Sequence, residues 1–115
     1  MLFRSVEGGR LLFVSGQVPV NAQRQLTSRD FREQVGSVYD NLETVLKSVG
    51  AGFENVVKTT NFLTNISQAK VFREVRDARF AHLKTRPAST TIVITALVEP
   101  EFLLEIEVIA AAPAR

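Results

Sequence analysis

Arg76 is the residue whose place in the sequence most needs an explanation. It falls between Phe72 and Phe80 in a helix-spaced series, Ala69, Phe72, Arg76, Phe80 and Leu83, that is otherwise apolar. Lys70 and Arg73 have acidic residues four positions on, Glu74 and Asp77, the spacing of helical ion pairs. Arg76 has no such partner, and Arg73 and Arg79, three positions to either side, repel it. Its side chain can snorkel to water, pair with a distant carboxylate, or point into a pocket and fork onto a ligand carboxylate or phosphate. Glu105 and Glu107 form a second feature. They lie two apart in a strand-like segment, so both emerge on one face. Neighbouring carboxylates raise at least one pKa, which suits acid–base chemistry, although a solvated strand face is the plainer account. Gly16 closes an apolar run, where a glycine lets a backbone N–H approach a ligand or simply turns the chain. Ser89, Thr90 and Thr91 place hydroxyls at the start of a strand, to meet a ligand or to cap the preceding turn.

Other chemistry is excluded by composition. The 115 residues contain no cysteine, hence no disulfide, thiolate nucleophile or cysteine-ligated metal. The one histidine, His82, cannot build a multi-histidine metal site. It falls in the last turn of a helix, where a cation is favoured anyway, and does not suggest a serine triad. A net charge of +2 permits nucleic-acid binding without demanding it. Lys70, Arg73, Arg76 and Arg79 spiral half-way round their helix with acids between them, and no aromatic on that side is placed to stack bases. No apolar stretch approaches the about 20 residues of a membrane span. The start, Met1-Leu-Phe-Arg, lacks a signal-peptide pattern, so a cytoplasmic location is the default expectation.

The elements that must position these residues read as a single α+β domain over 1–115. Leu2–Glu7 and Leu11–Ser15 are candidate strands, the second apolar enough to be dry on both faces. Gln17–Arg29 is a loop. Asp30–Val49 is the clearest helix, with Phe31, Val35, Val38, Leu42, Val45, Leu46 and Val49 at three- and four-residue spacing. Thr27 or Ser28 can cap its start, and Gly50 its end. Val56–Leu63 is a strand rich in β-branched residues. Ser67–Lys84 is a second helix, with Ser67 as N-cap and Pro87 beyond its end. Thr90–Val98 and Phe102–Ala111 are strands, and Glu99-Pro100-Glu101 between them suggests a hairpin. The order β-β-α-β-α-β-β implies a mixed sheet. Two helices cover one face only. The other face, to which Leu104, Ile106 and Val108 are assigned, needs a partner, which predicts a homo-oligomer.

Four segments then line up in order with one family. Leu11-Leu-Phe-Val-Ser-Gly-Gln-Val-Pro-Val-Asn21 resembles the signature strand and loop of the RidA/YjgF family, also labelled L-PSP endoribonuclease-like or translation-inhibitor-like. Val56-Val-Lys-Thr-Thr-Asn-Phe-Leu-Thr64 resembles its central strand, Pro87-Ala-Ser-Thr90 its active-site entrance, and Glu105-Ile-Glu-Val-Ile-Ala110 its last strand. The resemblance spans essentially the whole chain. It implies a chorismate-mutase-like fold, a mixed six-stranded sheet with two helices on one face, assembling as a homotrimer with clefts between subunits. It implies hydrolysis of enamine or imine intermediates to keto compounds and ammonia, with no metal or organic cofactor.

Carried over residue by residue, the resemblance makes Gly16 the glycine whose backbone lines the cleft. Glu105 is the glutamate that places or activates water. Thr91 is the small residue that hydrogen-bonds the substrate nitrogen or a water, and Ser89 and Thr90 stand at the entrance. There are departures. Ser89 occupies the place of an arginine that clamps the substrate carboxylate, and a hydroxyl cannot replace a bidentate cation. Leu2 stands where a tyrosine is common, and the match begins about ten residues into the family's pattern. The stretch from Ser89 to Glu105 is one residue longer than usual, which suggests a bulge. Arg76 aligns with a cleft-facing helix position that is often asparagine, and the reading is that it replaces the missing arginine from another wall. The expected function is an intersubunit pocket for a small anionic metabolite, a carboxylate, with imine or enamine hydrolysis. A non-catalytic metabolite-binding or regulatory trimer is the main alternative, and an RNA-directed endoribonuclease or translation inhibitor a weaker one.

Overall fold

The computed structural model of the chain describes residues 3–114. Two helices pack on one face of a four-stranded sheet. The elements run β1 (Arg10–Gln17), α1 (Phe31–Ser48), β2 (Val56–Leu63), α2 (Ala69–Arg79), β3 (Ala88–Val93) and β4 (Leu104–Ala112). The sheet order is β1-β4-β2-β3. β4 runs antiparallel to both β1 and β2, and β3 runs parallel to β2.

α1 buries the stripe its spacing predicts: Phe31, Val35, Val38, Leu42 and Leu46 are buried, while Val45 and Val49 stay half-exposed at its margin. Its cap is Asp30, whose carboxylate accepts from the Glu33 N–H at 3.0 Å, rather than Thr27 or Ser28. Ser28 instead bonds the Glu33 side chain at 2.7 Å. Gly50 adopts φ +76°, the left-handed stop that glycine tolerates. Between helices and sheet, Tyr39, Phe53 and Phe80 meet edge-to-face, with centroids 5.4–6.1 Å apart. Gln34, fully buried, donates to the carbonyls of Ser28 and Glu101 and accepts from the Leu103 N–H, each at 2.9 Å. It thereby ties α1 to the residues that lead into β4.

Several expectations are corrected. The described residues form four strands, neither the six that the resemblance implies nor the five read along the sequence: residues 3–7 are irregular, and Leu2 lies outside the described residues. β3 ends at Val93, where its partner β2 runs out at Leu63. Glu99–Phe102 is a turn, with Phe102 N–H bonded to the Glu99 carbonyl at 3.1 Å, but no hairpin, because β2 lies between β3 and β4. β1 is not dry on both faces, since Leu11 and Phe13 are 61% and 74% exposed. The second helix is shorter than Ser67–Lys84. A 3-10 turn, Ile66–Gln68, precedes it, capped by Asn65, and Gln68 rather than Ser67 is the residue before the helix. The uncovered sheet face carries the opposite residue set from the one expected. Leu104, Ile106 and Val108 are buried beneath the helices, so the open face carries Glu105, Glu107 and Ile109. β3 pairs with β2 without a register shift, so no bulge follows Ser89 there. The irregularities fall between Val14 and Gln17 and between Val56 and Lys58.

Candidate functional site

The irregularity in β1 matters because of what it brings to Glu105. β1 pairs regularly with β4 from Arg10 to Val14, then slips before Gln17 meets Ile106. Gly16 lies in that slip, against the Glu105 side chain. A Cβ on Gly16 would stand 2.3 Å from Oε2 and 2.6 Å from Cδ of Glu105. Only hydrogen at this position leaves room for the carboxyl group. Burial pushes the Glu105 pKa up, and the charge of Glu107 on the same face adds to the rise. The open face also holds Lys58, whose ammonium donates to the Thr59 carbonyl at 2.8 Å and to Thr90 Oγ1 at 2.9 Å. A groove of about 240 Å³ runs over this face between Phe13, Ser15, Lys58, Thr60, Glu107 and Ile109.

Ser89 and Thr91 occupy the other face. In register with Thr59 and Asn61 of β2, they point to the helix side of the sheet. Thr59 Oγ1 lies 3.1 Å from Ser89 Oγ, and Asn61 Nδ2 reaches Ser89 Oγ at 2.9 Å, the Thr90 carbonyl at 3.2 Å and Thr91 Oγ1 at 3.3 Å. Ser89 opens onto a cavity of about 270 Å³ whose other walls are Arg76, Phe80, Arg86 and Pro87. Arg76 is not unpartnered. Its guanidinium meets the adjacent Asp77 at 3.1 Å and rests 5.8 Å from the centroid of the Phe72 ring. Arg86 meets the same Asp77 oxygen at 2.9 Å. Burial alone would raise the Asp77 carboxyl, but hydrogen bonds and charge from Arg76 and Arg86 outweigh it and hold it below the usual aspartate value.

The residues singled out by sequence thus fall into two groups. Gly16 and Glu105 touch on the open face, which also carries Thr90. Arg76 and Ser89 share a cavity on the helix side, and Thr91 joins Ser89 through Asn61. Within the chain the sheet separates the groups. Sequence reasoning missed Thr59, Asn61, Lys58, Asp77 and Arg86. Asn61 carried a signal, a carboxamide between Thr60 and Phe62 in a strand of core-forming residues. It is 1% exposed, and its Oδ1 has no partner among the described residues.

A family model described as Endoribonuclease L-PSP matches residues 3–112. The chain belongs to this family, the RidA/YjgF proteins. Among its RidA relatives, a RutC family protein of Aquifex aeolicus is 32% identical over 82% of this chain and 75% of its own length. The 2-iminobutanoate/2-iminopropanoate deaminase of Escherichia coli K12 is 28% identical over 93% of this chain and 84% of its own. The crystal structure of YyfA, a Rid family protein of unknown function from Yersinia pestis, superposes with a TM-score of 0.84 at 34% identity, covering 89% of this chain and 80% of that one. Among the described residues, no helix is long and apolar enough to cross a membrane.

Proposed function

We propose that this RidA-family protein is a homotrimer that hydrolyses small imino acids, with Glu105 moving the protons and Arg76 holding the substrate carboxylate. The observation that carries the reading is the carboxyl of Glu105, seated over Gly16 and kept at a raised pKa. Imine hydrolysis adds water across C=N and then expels the nitrogen. A carboxylate beside the imine carbon takes a proton from water as the C–O bond forms. The carboxylic acid so made returns that proton to nitrogen and completes a carbinolamine. The carboxylate then carries the carbinolamine's hydroxyl proton to the same nitrogen as the C–N bond breaks, so that ammonia leaves and a keto acid remains. A group that must both take and return a proton works best with its pKa moved towards neutrality, the direction found for Glu105.

The split between the two faces favours a cleft shared between subunits. Glu105 of one protomer would face the cavity of Arg76 and Ser89 on the next, with Thr90 and Thr91 near its mouth. Exposed Leu11, Phe13 and Ile92 give the open face apolar surface for such packing. The imine deamination for which the E. coli relative is named supports the substrate class. The test generates 2-iminopropanoate in situ with an amino-acid oxidase and follows its loss by semicarbazide capture. Acceleration that Glu105→Ala abolishes is the expected result.

One observation favours a second reading, a metabolite-binding trimer without catalysis. The residue after Pro87-Ala88 is a serine engaged by Thr59 and Asn61, so no cation reaches the cleft from this strand. Binding of pyruvate without imine turnover would establish that reading in place of the first. An RNA-directed activity finds less support, because Glu105 and Glu107 on the open face repel phosphate.

A further inference from the structure

The cavity beside Ser89 is lined by two guanidiniums and a hydroxyl, and the orientation of that hydroxyl follows from its neighbours. The Thr90 carbonyl can only accept, so the Asn61 amide must turn its NH2 towards it. The same nitrogen then donates to Ser89 Oγ at 2.9 Å. Thr59 is 2% exposed, and Ser89 Oγ is the one side-chain partner of its hydroxyl among the described residues, so it too donates there. With two donors on its oxygen, Ser89 has its own proton free to point away from the sheet. The walls thus present Arg76, Arg86 and an O–H donor above the apolar surfaces of Phe80 and Pro87. One acidic group answers them. A single oxygen of Asp77 takes Nε and Nη2 of Arg76, both at 3.1 Å, and Nη1 of Arg86 at 2.9 Å. That oxygen demonstrates that both arginines can grip one carboxylate together.

We propose that Arg86 joins Arg76 and Ser89 in a seat for the carboxylate of a short aliphatic monoanion, and that Asp77 competes for the same guanidiniums. Two cations and one fixed anion leave a single positive charge, which matches a monoanion. The cavity of about 270 Å³ suits a metabolite rather than a larger ligand. The assignment of Arg76 to a substrate carboxylate rests on the function proposed above. The roles of Arg86 and Asp77 are additional and are read by binding alone.

The experiment is calorimetric titration of the full chain with pyruvate at physiological ionic strength. Arg86→Gln is expected to weaken binding at least about tenfold, the loss of a charge-assisted bond. Arg86→Lys, which keeps the charge without the fork, is expected to fall between wild type and Arg86→Gln. Asp77→Asn is expected to tighten binding severalfold by removing the competitor. Arg73→Gln, an exposed change on the same helix outside the cavity, is expected to leave it unchanged. The proposal is overturned if saturating pyruvate does not bind the wild type, if Arg86→Gln binds as the wild type does, or if Asp77→Asn weakens binding. The expected binding pattern without imine turnover would sink the proposed enzymatic function and leave this site standing. Glu105-dependent turnover with unaltered binding in Arg86→Gln would do the reverse.

Discussion

Gly16→Ala separates the room a residue leaves from the fold it belongs to. The added methyl would stand 2.3 Å from Glu105 Oε2, whereas ordinary contact begins at 3.4 Å. The carboxyl must therefore withdraw by about 1 Å, a displacement that can cost a reaction about 100-fold. The atoms in the way belong to a side chain with free torsions, and the backbone at Gly16 is not in the left-handed region. The fold can give way cheaply, and alanine restricts the unfolded chain by about 0.4–1 kcal/mol in its favour. The expected outcome is a midpoint of thermal unfolding close to wild type alongside a loss of imine turnover approaching that of Glu105→Gln. The double variant should be no worse than Glu105→Gln alone, because both changes act through one carboxyl. A carboxyl-carbon NMR titration gives a second reading independent of turnover, in which the displaced Glu105 should titrate nearer the ordinary glutamate range. Full activity in Gly16→Ala would refute the reasoning, as would a double variant far below Glu105→Gln. Collapse of the fold would show that the backbone, not the side chain, fills the space.

Other measurements probe neighbouring features. The folded pKa of Glu105 is raised, so its contribution to stability is full below the ordinary value of 4.5 and is lost as pH rises through the higher folded value. Glu105→Gln should consequently be more stable than wild type at neutral pH, a gain that vanishes in acid denaturation series. Asp77 behaves oppositely: its stabilising effect is present above the ordinary value of 3.8 and disappears as pH falls through its lowered folded pKa, so Asp77→Asn should be less stable than wild type at neutral pH but not in strong acid. Gln34→Ala strips three hydrogen bonds from a buried carboxamide and should cost about 3 kcal/mol, with a fall in Tm of about 12 °C. An unchanged Tm would mean that water replaces the carboxamide. If the proposed trimer packs through the open face, Phe13→Asp, at an exposed position there, should leave the chain folded and sedimenting at 12.7 kDa where the wild type sediments as a trimer. A variant that sediments like wild type would remove this face from the interface.

What could be read from the sequence, and what could not, divides along physical lines. The 3.6-residue spacing of Phe31, Val35, Val38, Leu42 and Leu46 determines a buried helix face almost unaided, and all five are buried. In β4 the two-residue alternation sorts Leu104, Ile106 and Val108 from Glu105 and Glu107. It does not say which set faces the helices, and the open face went to the acids. β-propensity in Thr90–Val98 could not foresee that pairing stops with β2 at Leu63. The approach of Gly16 to Glu105 depends on a slip in register between strands far apart in sequence, which no local pattern encodes. Arg76 was conspicuous by its spacing. Its partner was missed because adjacent helical residues do not normally face each other, and a long guanidinium arm folded back onto Asp77 instead.

The sheet order has a consequence for how the protein is made. β4 lies between β1 and β2, yet it is the last of the four strands to be synthesised. Until residues 104–112 leave the ribosome, β1 has no strand partner, and β2 can pair only with β3. The nascent chain must carry β1 unpaired through the synthesis of β2 and β3, with Leu12 and Val14, which the finished core partly buries, still exposed to other chains. Folding then resembles closing an arch with its keystone, slow to begin and cooperative once begun. Premature termination before Leu104 would leave β1 as a lone strand that cannot join the β2–β3 pair, and such fragments belong to the clientele of chaperones and proteases.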